Sequence, residues 1–185
     1  MRLFTGLDIP THVKDNLGGL IESLRPVARL RWSLVGNLHI TTKFIGEWPE
    51  QRLEEMKQAL ASIASKPAIP IAIRGLGWFP NPHSPRVFWA AVRAPESLAD
   101  LARATEDATF ELGVARENRP FAPHLTLARI QNPGDIGQLR HRVAELDSDD
   151  FGEFSATEFH LYQSRMMAGG SVYSKLASYS LEPLC

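Results

Sequence analysis

Two histidines lie in matching tetrapeptides that are 85 residues apart. Both tetrapeptides have the pattern His-x-Thr-x: His39-Ile40-Thr41-Thr42 and His124-Leu125-Thr126-Leu127. A neutral imidazole can take a proton from an attacking oxygen, and an imidazolium can give a proton to a departing oxygen. A threonine hydroxyl can donate a hydrogen bond to a phosphate oxygen. Two such pairs facing each other across a cleft would suit phosphodiester cleavage, whereas one copy alone is an ordinary strand segment.

Two predicted strands must position these side chains. Residues 38–45 are rich in β-branched side chains and are bounded by glycines, and residues 123–130 form a second strand candidate. Successive side chains of a strand point to opposite faces, so each histidine shares a face with the threonine two residues later. The residues between them then face the core.

Strict alternation also makes predictions for three neighbouring residues. Lys43 has the parity of the first histidine, so it either adds positive potential near a bound phosphate or is a solvated strand residue. Phe44 has the opposite parity and is predicted to lie in the core. Arg129 is predicted to point away from the cleft, unless the strand ends near Ala128 or a bulge reorients it.

The remaining patterns predict strands and helices that are mixed along the chain and do not alternate regularly. Strands are predicted at residues 2–8, 69–79, 87–92, 153–164 and 171–181, the last two joined across Gly169-Gly170. Helices are predicted from Thr11, after Pro49, around residues 98–112, and from Asp135, which forms a capping pair with Gln138. The resulting order, βαβαββαβαββ, lacks the regular alternation of a doubly wound sheet, which favours an antiparallel α+β fold.

Composition limits the class of protein. A length of 185 residues with 44% hydrophobic and 22% charged residues is typical of one globular domain. Because the formal net charge is −1, an anionic ligand must be held by a local cluster of positive charge. The single cysteine, Cys185, excludes an intrachain disulfide, and no apolar run is long enough to span a membrane, so we expect a cytoplasmic protein. Motifs for metals or nucleotide triphosphates are missing, so no cofactor is expected.

Other residues could border such a site. His160 and Tyr162 share a face of a predicted strand and either border the substrate or pack in the core or rim. Arginine pairs such as Arg29 and Arg31 could contact an RNA backbone or form a solvated face. Trp32, Phe79 and Trp89 could stack a base, although Trp89 is predicted to be core.

The two tetrapeptides and their surroundings resemble the signature motifs of the two-histidine phosphoesterase superfamily. Within it, the chain is most similar to the bacterial and archaeal RNA 2′,3′-cyclic phosphodiesterases, also called the 2′-5′ RNA ligase family. The similar segments cover nearly the whole chain: residues 39–44, 123–129, Arg2-Leu3-Phe4, Leu7-Asp8-Ile9-Pro10, Asn37-Leu38-His39, Leu76-Gly77-Trp78-Phe79, Arg119-Pro120-Phe121 and Leu161-Tyr162-x-Ser164. The resemblance implies one bilobal α+β domain over residues 1–185, with two similar antiparallel lobes flanking a cleft and helices on the outer faces.

The resemblance also implies an activity and roles for the motif residues. It implies metal-independent hydrolysis of a terminal RNA 2′,3′-cyclic phosphate to a 2′-phosphomonoester. His39 would donate a proton to the leaving 3′ oxygen, and His124 would accept a proton from the attacking water. Thr41 and Thr126 would hold the phosphate, and Arg129 would neutralise its charge. The partner is then an RNA with a cyclic phosphate end, and we expect a monomer that does not bind membranes.

Two alternatives stay open. A relative in the same superfamily would act on small cyclic phosphates or on 2′-5′ linkages, including reversible 2′-5′ ligation of RNA. A non-catalytic RNA-binding module would keep the cleft without turnover. The presence of both histidines and both threonines argues against a degenerate site of that kind.

Overall fold

The computed structural model describes residues 1–63, 66–132, 136–168 and 170–182. The strands, in chain order, are β1 (Arg2–Asp8), β2 (Arg31–Trp32), β3 (His39–Glu47), β4 (Ile69–Phe79), β5 (Val87–Arg93), β6 (His124–Arg129), β7 (Asp150–Ala156), β8 (Glu158–Met167) and β9 (Gly170–Ser180). The helices are α1 (Thr11–Leu24), α2 (Leu53–Ala61), α3 (Glu96–Phe110) and α4 (Gly137–Ala144). Short 3₁₀ turns lie at Arg25–Val27, Val35–Asn37 and Glu50–Arg52.

The strands form two antiparallel sheets, which confirms the predicted α+β fold. Sheet A has the order β3-β1-β8-β9, and sheet B has the order β2-β6-β5-β4-β7. Helices α2 and α3 pack against sheet A, and α1 packs against β7 of sheet B. The two tetrapeptides begin β3 and β6, which contact each other where the sheets meet. Each sheet therefore contributes one His-x-Thr segment to the same junction.

Helix α1 shows how the sequence pattern becomes a packed layer. Its apolar residues recur every three or four positions, so they form one stripe along the helix. The buried residues of α1 are Val13, Leu17, Leu20, Ile21 and Leu24. Burial of each large aliphatic side chain contributes roughly 1.5–3 kcal/mol, so this stripe holds the helix against the sheets. The predicted helix is confirmed.

The strand predicted at residues 153–164 is wrong in its extent. Two strands occupy this region, β7 in sheet B and β8 in sheet A, and they are separated by Thr157 alone. The chain passes directly from one sheet to the other at Thr157. Neither a glycine nor a proline marks this position in the sequence. The apolar positions shift by one residue across the junction, from Phe154 and Ala156 to Phe159 and Leu161, and this small change of phase gives the appearance of one strand.

Several smaller features differ from the prediction or lie outside it. Strand β2 is two residues long, too short to leave a periodic pattern. The predicted capping residue Asp135 and the first glycine of the predicted Gly169-Gly170 turn fall outside the described residues. None of the described helices is long and apolar enough to cross a membrane.

Candidate active site

A β-bulge in β3 follows the first His-x-Thr segment. Thr41 pairs with Gly6 of β1, whereas Lys43 pairs with Thr5, which leaves Thr42 as the extra residue. A bulge of this kind reverses the alternation of side chains beyond it. We define the cleft face of each sheet as the face that carries its histidine and threonine. Lys43 therefore lies on the opposite face of sheet A.

The prediction that Lys43 shares the face of the first histidine is wrong. Its side chain is 2% exposed, and Nζ donates hydrogen bonds to Oε1 of Glu106 at 2.9 Å and to the carbonyl oxygen of Ala115 at 2.8 Å. Phe44, predicted to be core, is 57% exposed and lies on the cleft face. A single inserted residue exchanges the positions of these two side chains.

A second bulge at the equivalent position of β6 determines the orientation of Arg129. Consecutive residues of β5 pair with Thr126 and Ala128, which leaves Leu127 as the extra residue. Arg129 therefore returns to the cleft face of sheet B. Ser33 holds this bulge, because its hydroxyl donates to the carbonyl oxygen of Thr126 at 2.7 Å and its N–H donates to that of Leu127 at 2.8 Å. Of the two explanations left open by the sequence, the bulge is correct.

The two imidazoles are held in the same way. Nδ1 of His39 lies 2.6 Å from the carbonyl oxygen of Asn37, and Nδ1 of His124 lies 2.7 Å from that of Ala122. A carbonyl oxygen can only accept, so Nδ1 is the donor in both hydrogen bonds. Nε2 of each ring is therefore the atom that can gain or lose a proton. Each side chain is partly buried.

Aromatic rings of sheet A pack around His39. The ring of Phe4 lies 4.7 Å from the imidazole between centroids, and the ring of Tyr173 meets it edge-on at 5.1 Å. Tyr162 stacks on Phe4 at 5.0 Å and is 6% exposed. Burial raises the pKa of the Tyr162 hydroxyl well above its usual range. Tyr162 thus supports the packing beside His39, and its direct contact with a substrate stays a prediction.

Aromatic rings of sheet B pack around His124. Phe79 meets the imidazole edge-on at 5.0 Å, and Trp89 lies 6.4 Å away between centroids. Trp89 is partly buried on the cleft face, so the prediction that it is core is wrong. Its indole lies on Gly77, where a Cβ atom would be 2.2 Å from the ring. Only glycine at that position leaves room for Trp89 beside the histidine.

Asp8 and two lysines, none of them singled out from the sequence, lie close to His39. Asp8 pairs with His39 across β1 and β3, and its carboxylate accepts from Lys14 at 3.0 Å and from Lys175 at 2.8 Å. Burial alone would raise the pKa of Asp8, but the hydrogen bonds from the two lysines outweigh it and hold that pKa at about 2. Asp8 belongs to a segment similar to the family. The lysines lie 6 and 167 residues from it, so no local pattern connects them.

The pKa of His39 is lowered from its ordinary value. Burial is the largest cause, and the positive charges of His124 and Lys14 act in the same direction, against the Asn37 carbonyl and Asp8. The effect of His124 shows that the two imidazoles lie within electrostatic reach of each other. In the free protein, the neutral form of His39 is therefore favoured near pH 7.

His160 lies on the cleft face but is 3% exposed, so the core interpretation applies to it. Its Nδ1 lies 2.9 Å from the hydroxyl of Ser178. Burial, with a smaller effect of Lys175, lowers the pKa of His160. Within the part of the chain that the structure describes, no group of three or more His, Cys, Asp or Glu residues is arranged to hold a metal ion.

Comparison with a family model finds the same repeat of the His-x-Thr segment. The model of the LigT-like phosphoesterase family matches residues 7–89 and again residues 91–173, so each match contains one His-x-Thr segment. A protein of Archaeoglobus fulgidus named RNA 2′,3′-cyclic phosphodiesterase is 31% identical over 176 residues, which cover 95% of this chain and 98% of the relative. One of Methanocaldococcus jannaschii with the same name is 31% identical over 179 residues, which cover 97% and 100%.

A solved structure is similar over its full length. The crystal structure of a protein of Thermus thermophilus superposes with a TM-score of 0.83 at 29% identity and covers 99% of both chains. Two antiparallel sheets with one His-x-Thr segment each define a two-lobed phosphoesterase of the two-histidine class. The chain belongs to the LigT-like phosphoesterase family.

Proposed function

We propose that this enzyme hydrolyses the 2′,3′-cyclic phosphodiester at the end of an RNA to a 2′-phosphomonoester. The observation that carries the proposal is the equivalent placement of two imidazoles, one per sheet, each with Nδ1 committed to a backbone carbonyl and Nε2 left for proton transfer. The relatives named RNA 2′,3′-cyclic phosphodiesterase, which match over nearly the whole chain, support the substrate class.

The proposed reaction needs one base and one acid. Nε2 of His124, in its neutral form, takes a proton from a water molecule as the water oxygen bonds to phosphorus. The bond between phosphorus and the 3′ oxygen breaks, and Nε2 of His39, in its protonated form, gives its proton to that oxygen. The products are a free 3′ hydroxyl and a 2′-phosphomonoester, and the two histidines end in exchanged protonation states.

Neighbouring polar groups on the cleft faces would hold the phosphate. The hydroxyls of Thr41 and Thr126 share faces with the two imidazoles, so they are suited to donate to the non-bridging oxygens. Arg129, returned to this face by its bulge, is suited to pair with the negative charge. Lys43 has no part in this proposal, because its ammonium is buried on the other face with Glu106.

The proposal is tested with a hexaribonucleotide that ends in a 2′,3′-cyclic phosphate. We expect release of a 2′-phosphomonoester end, identified by chromatography against 2′- and 3′-phosphate standards. H39A and H124A should each lower kcat by roughly 10²–10⁴-fold, because each removes a general acid or base. H39Q and H124Q replace the alanine variants if those do not fold. Circular dichroism checks that each protein is folded.

H141A is the matched control, because His141 is an exposed imidazole on α4 paired with Glu145. It should have the activity of the unaltered enzyme. A binding module would retain the RNA without turnover. Turnover restricted to small cyclic phosphates or to 2′-5′ linkages would contradict the proposed substrate, and full activity in H39A or H124A would contradict the mechanism.

A further inference from the structure

A pocket lined by four arginines lies at the edge of sheet B beside the candidate active site. It has a volume of about 450 Å³, and its lining includes Arg25, Arg29, Arg31 and Arg129. All four side chains are exposed. Among the described residues, none of these four forms an ion pair with a carboxylate, in contrast to five other arginines: Arg52, Arg74, Arg103, Arg116 and Arg142. Four uncompensated guanidinium groups around one pocket form a local positive field.

The floor of this pocket is fixed by packing. The indole N–H of Trp32 donates to the carbonyl oxygen of Ala28 at 3.2 Å, and both residues line the pocket. The Trp32 ring also meets the fully buried Phe88 edge-on at 6.3 Å. The pocket is therefore anchored to the core of sheet B, and a ligand would not have to order its floor.

The pocket shares Arg129 with the candidate active site. Arg31 of β2 pairs with Arg129 of β6, so both side chains project from the cleft face that carries His124. Arg129 lies three residues beyond Thr126, but the bulge at Leu127 shortens the advance to that of two residues of β5, about 7 Å. Arg129 thus stands between the groups proposed to hold the reacting phosphate and the other arginines of the pocket.

We propose that this pocket binds an internucleotide phosphate of the RNA, upstream of the cyclic end. This inference rests on the proposed function. When the terminal phosphate lies between the histidines, the chain can continue only from the 5′ side of the terminal nucleotide, so the next anionic group along it is a backbone phosphate. Guanidinium groups bind such phosphates through paired hydrogen bonds and carry no base specificity. The pocket selects a polynucleotide over a cyclic mononucleotide.

The test compares two substrates in the R25Q/R29Q variant, 2′,3′-cyclic AMP and a hexaribonucleotide with a 2′,3′-cyclic phosphate end. Arg25 and Arg29 have no role in the proposed chemistry. We expect kcat/KM for the hexanucleotide to fall about tenfold, mainly through a higher KM. We expect kcat/KM for 2′,3′-cyclic AMP to stay unchanged. The dependence of log KM on log salt should also weaken, by a slope of about 0.7 for the loss of one neutralised phosphate.

R74Q/R103Q is the matched control, because it removes the same charge from two exposed arginines elsewhere. Arg74 lies on β4 and pairs with Asp150 of β7, at the opposite edge of sheet B, and Arg103 lies on α3. The control should process both substrates like the unaltered enzyme. Equal loss on both substrates, no loss on the hexanucleotide, or equal loss in the control overturns the proposal.

A binding measurement separates this proposal from the proposed function. Fluorescence anisotropy with a labelled hexaribonucleotide that ends in a 2′-phosphate needs no turnover. If the unaltered enzyme hydrolyses neither substrate, the proposed function fails. Weaker binding by R25Q/R29Q than by R74Q/R103Q would still support the pocket as a phosphate site, and equal affinities would overturn it.

Discussion

At the scale of single residues, the chemistry depends on two imidazoles that are tethered alike, each through Nδ1 to a backbone carbonyl oxygen. Burial lowers the pKa of His39, so the form proposed to donate a proton is the less populated one in the free enzyme near pH 7. A bound phosphate places a negative charge beside the ring and favours its protonation. Binding of the substrate therefore prepares the acid that the reaction needs.

The residual activities of the two histidine variants assign the roles. In H124A only the acid remains, so kcat/KM should fall as pH rises through the pKa of His39, which burial keeps below its ordinary value of 6.5. In H39A only the base remains, so kcat/KM should rise with pH. The measurement is kcat/KM from pH 4.5 to 9 at constant ionic strength. The opposite slopes would reverse the two roles.

At the scale of elements, a bulge at the fourth residue of each tetrapeptide decides which side chains reach the cleft. It turns Arg129 toward the cleft face and turns Lys43 away from it. The ammonium of Lys43 instead joins β3 to α3 through Glu106, and to the segment before β6 through the carbonyl of Ala115. Lys43 thus links β3 to α3 and to the segment that follows α3.

We predict that K43M is a stability variant. The unfolding free energy should fall by about 1–3 kcal/mol, because the substitution removes the ion-pair partner of Glu106 and the hydrogen bond from Lys43 to the Ala115 carbonyl oxygen. The change in kcat/KM should stay below about threefold. K43M/E106Q should lose little more stability than K43M alone, since both substitutions break the same ion pair, Lys43–Glu106. Urea denaturation and steady-state kinetics check this prediction. A large loss of kcat/KM with unchanged stability would contradict it and would indicate that Lys43 binds the phosphate.

The bulges also mark where prediction from the sequence fails. Alternation identified the shared face of each histidine and threonine, since those residues precede the extra one. Beyond it, Lys43 and Phe44 were placed on the wrong faces, because neither a glycine nor a proline marks Thr42. The bulge is held by a contact between distant residues, a hydrogen bond of 2.7 Å between the buried hydroxyls of Thr5 and Thr42. No local pattern encodes such a contact.

At the scale of the whole molecule, two similar halves of the chain, residues 7–89 and 91–173, supply one histidine each. Helix α1 follows β1 of sheet A yet packs on sheet B, and α3 follows β5 of sheet B yet packs on sheet A, so the halves hold each other in place. The repeated tetrapeptide predicted that two distant segments of the chain would contribute one histidine each to one site. The arginine pocket could not be predicted in the same way, because residues 25–31 and Arg129 meet only in the fold.

The central claim is that both imidazoles act on one phosphorus, and nitrogen NMR of the histidine rings tests it most directly. The pKa values of His39 and His124 are measured with and without adenosine 2′-phosphate, and the exposed His141 is the internal control. We predict that the ligand raises both pKa values, that Nδ1 stays protonated in both rings, and that His141 does not respond. A ligand that shifts only one of the two histidines, or neither, would contradict the account.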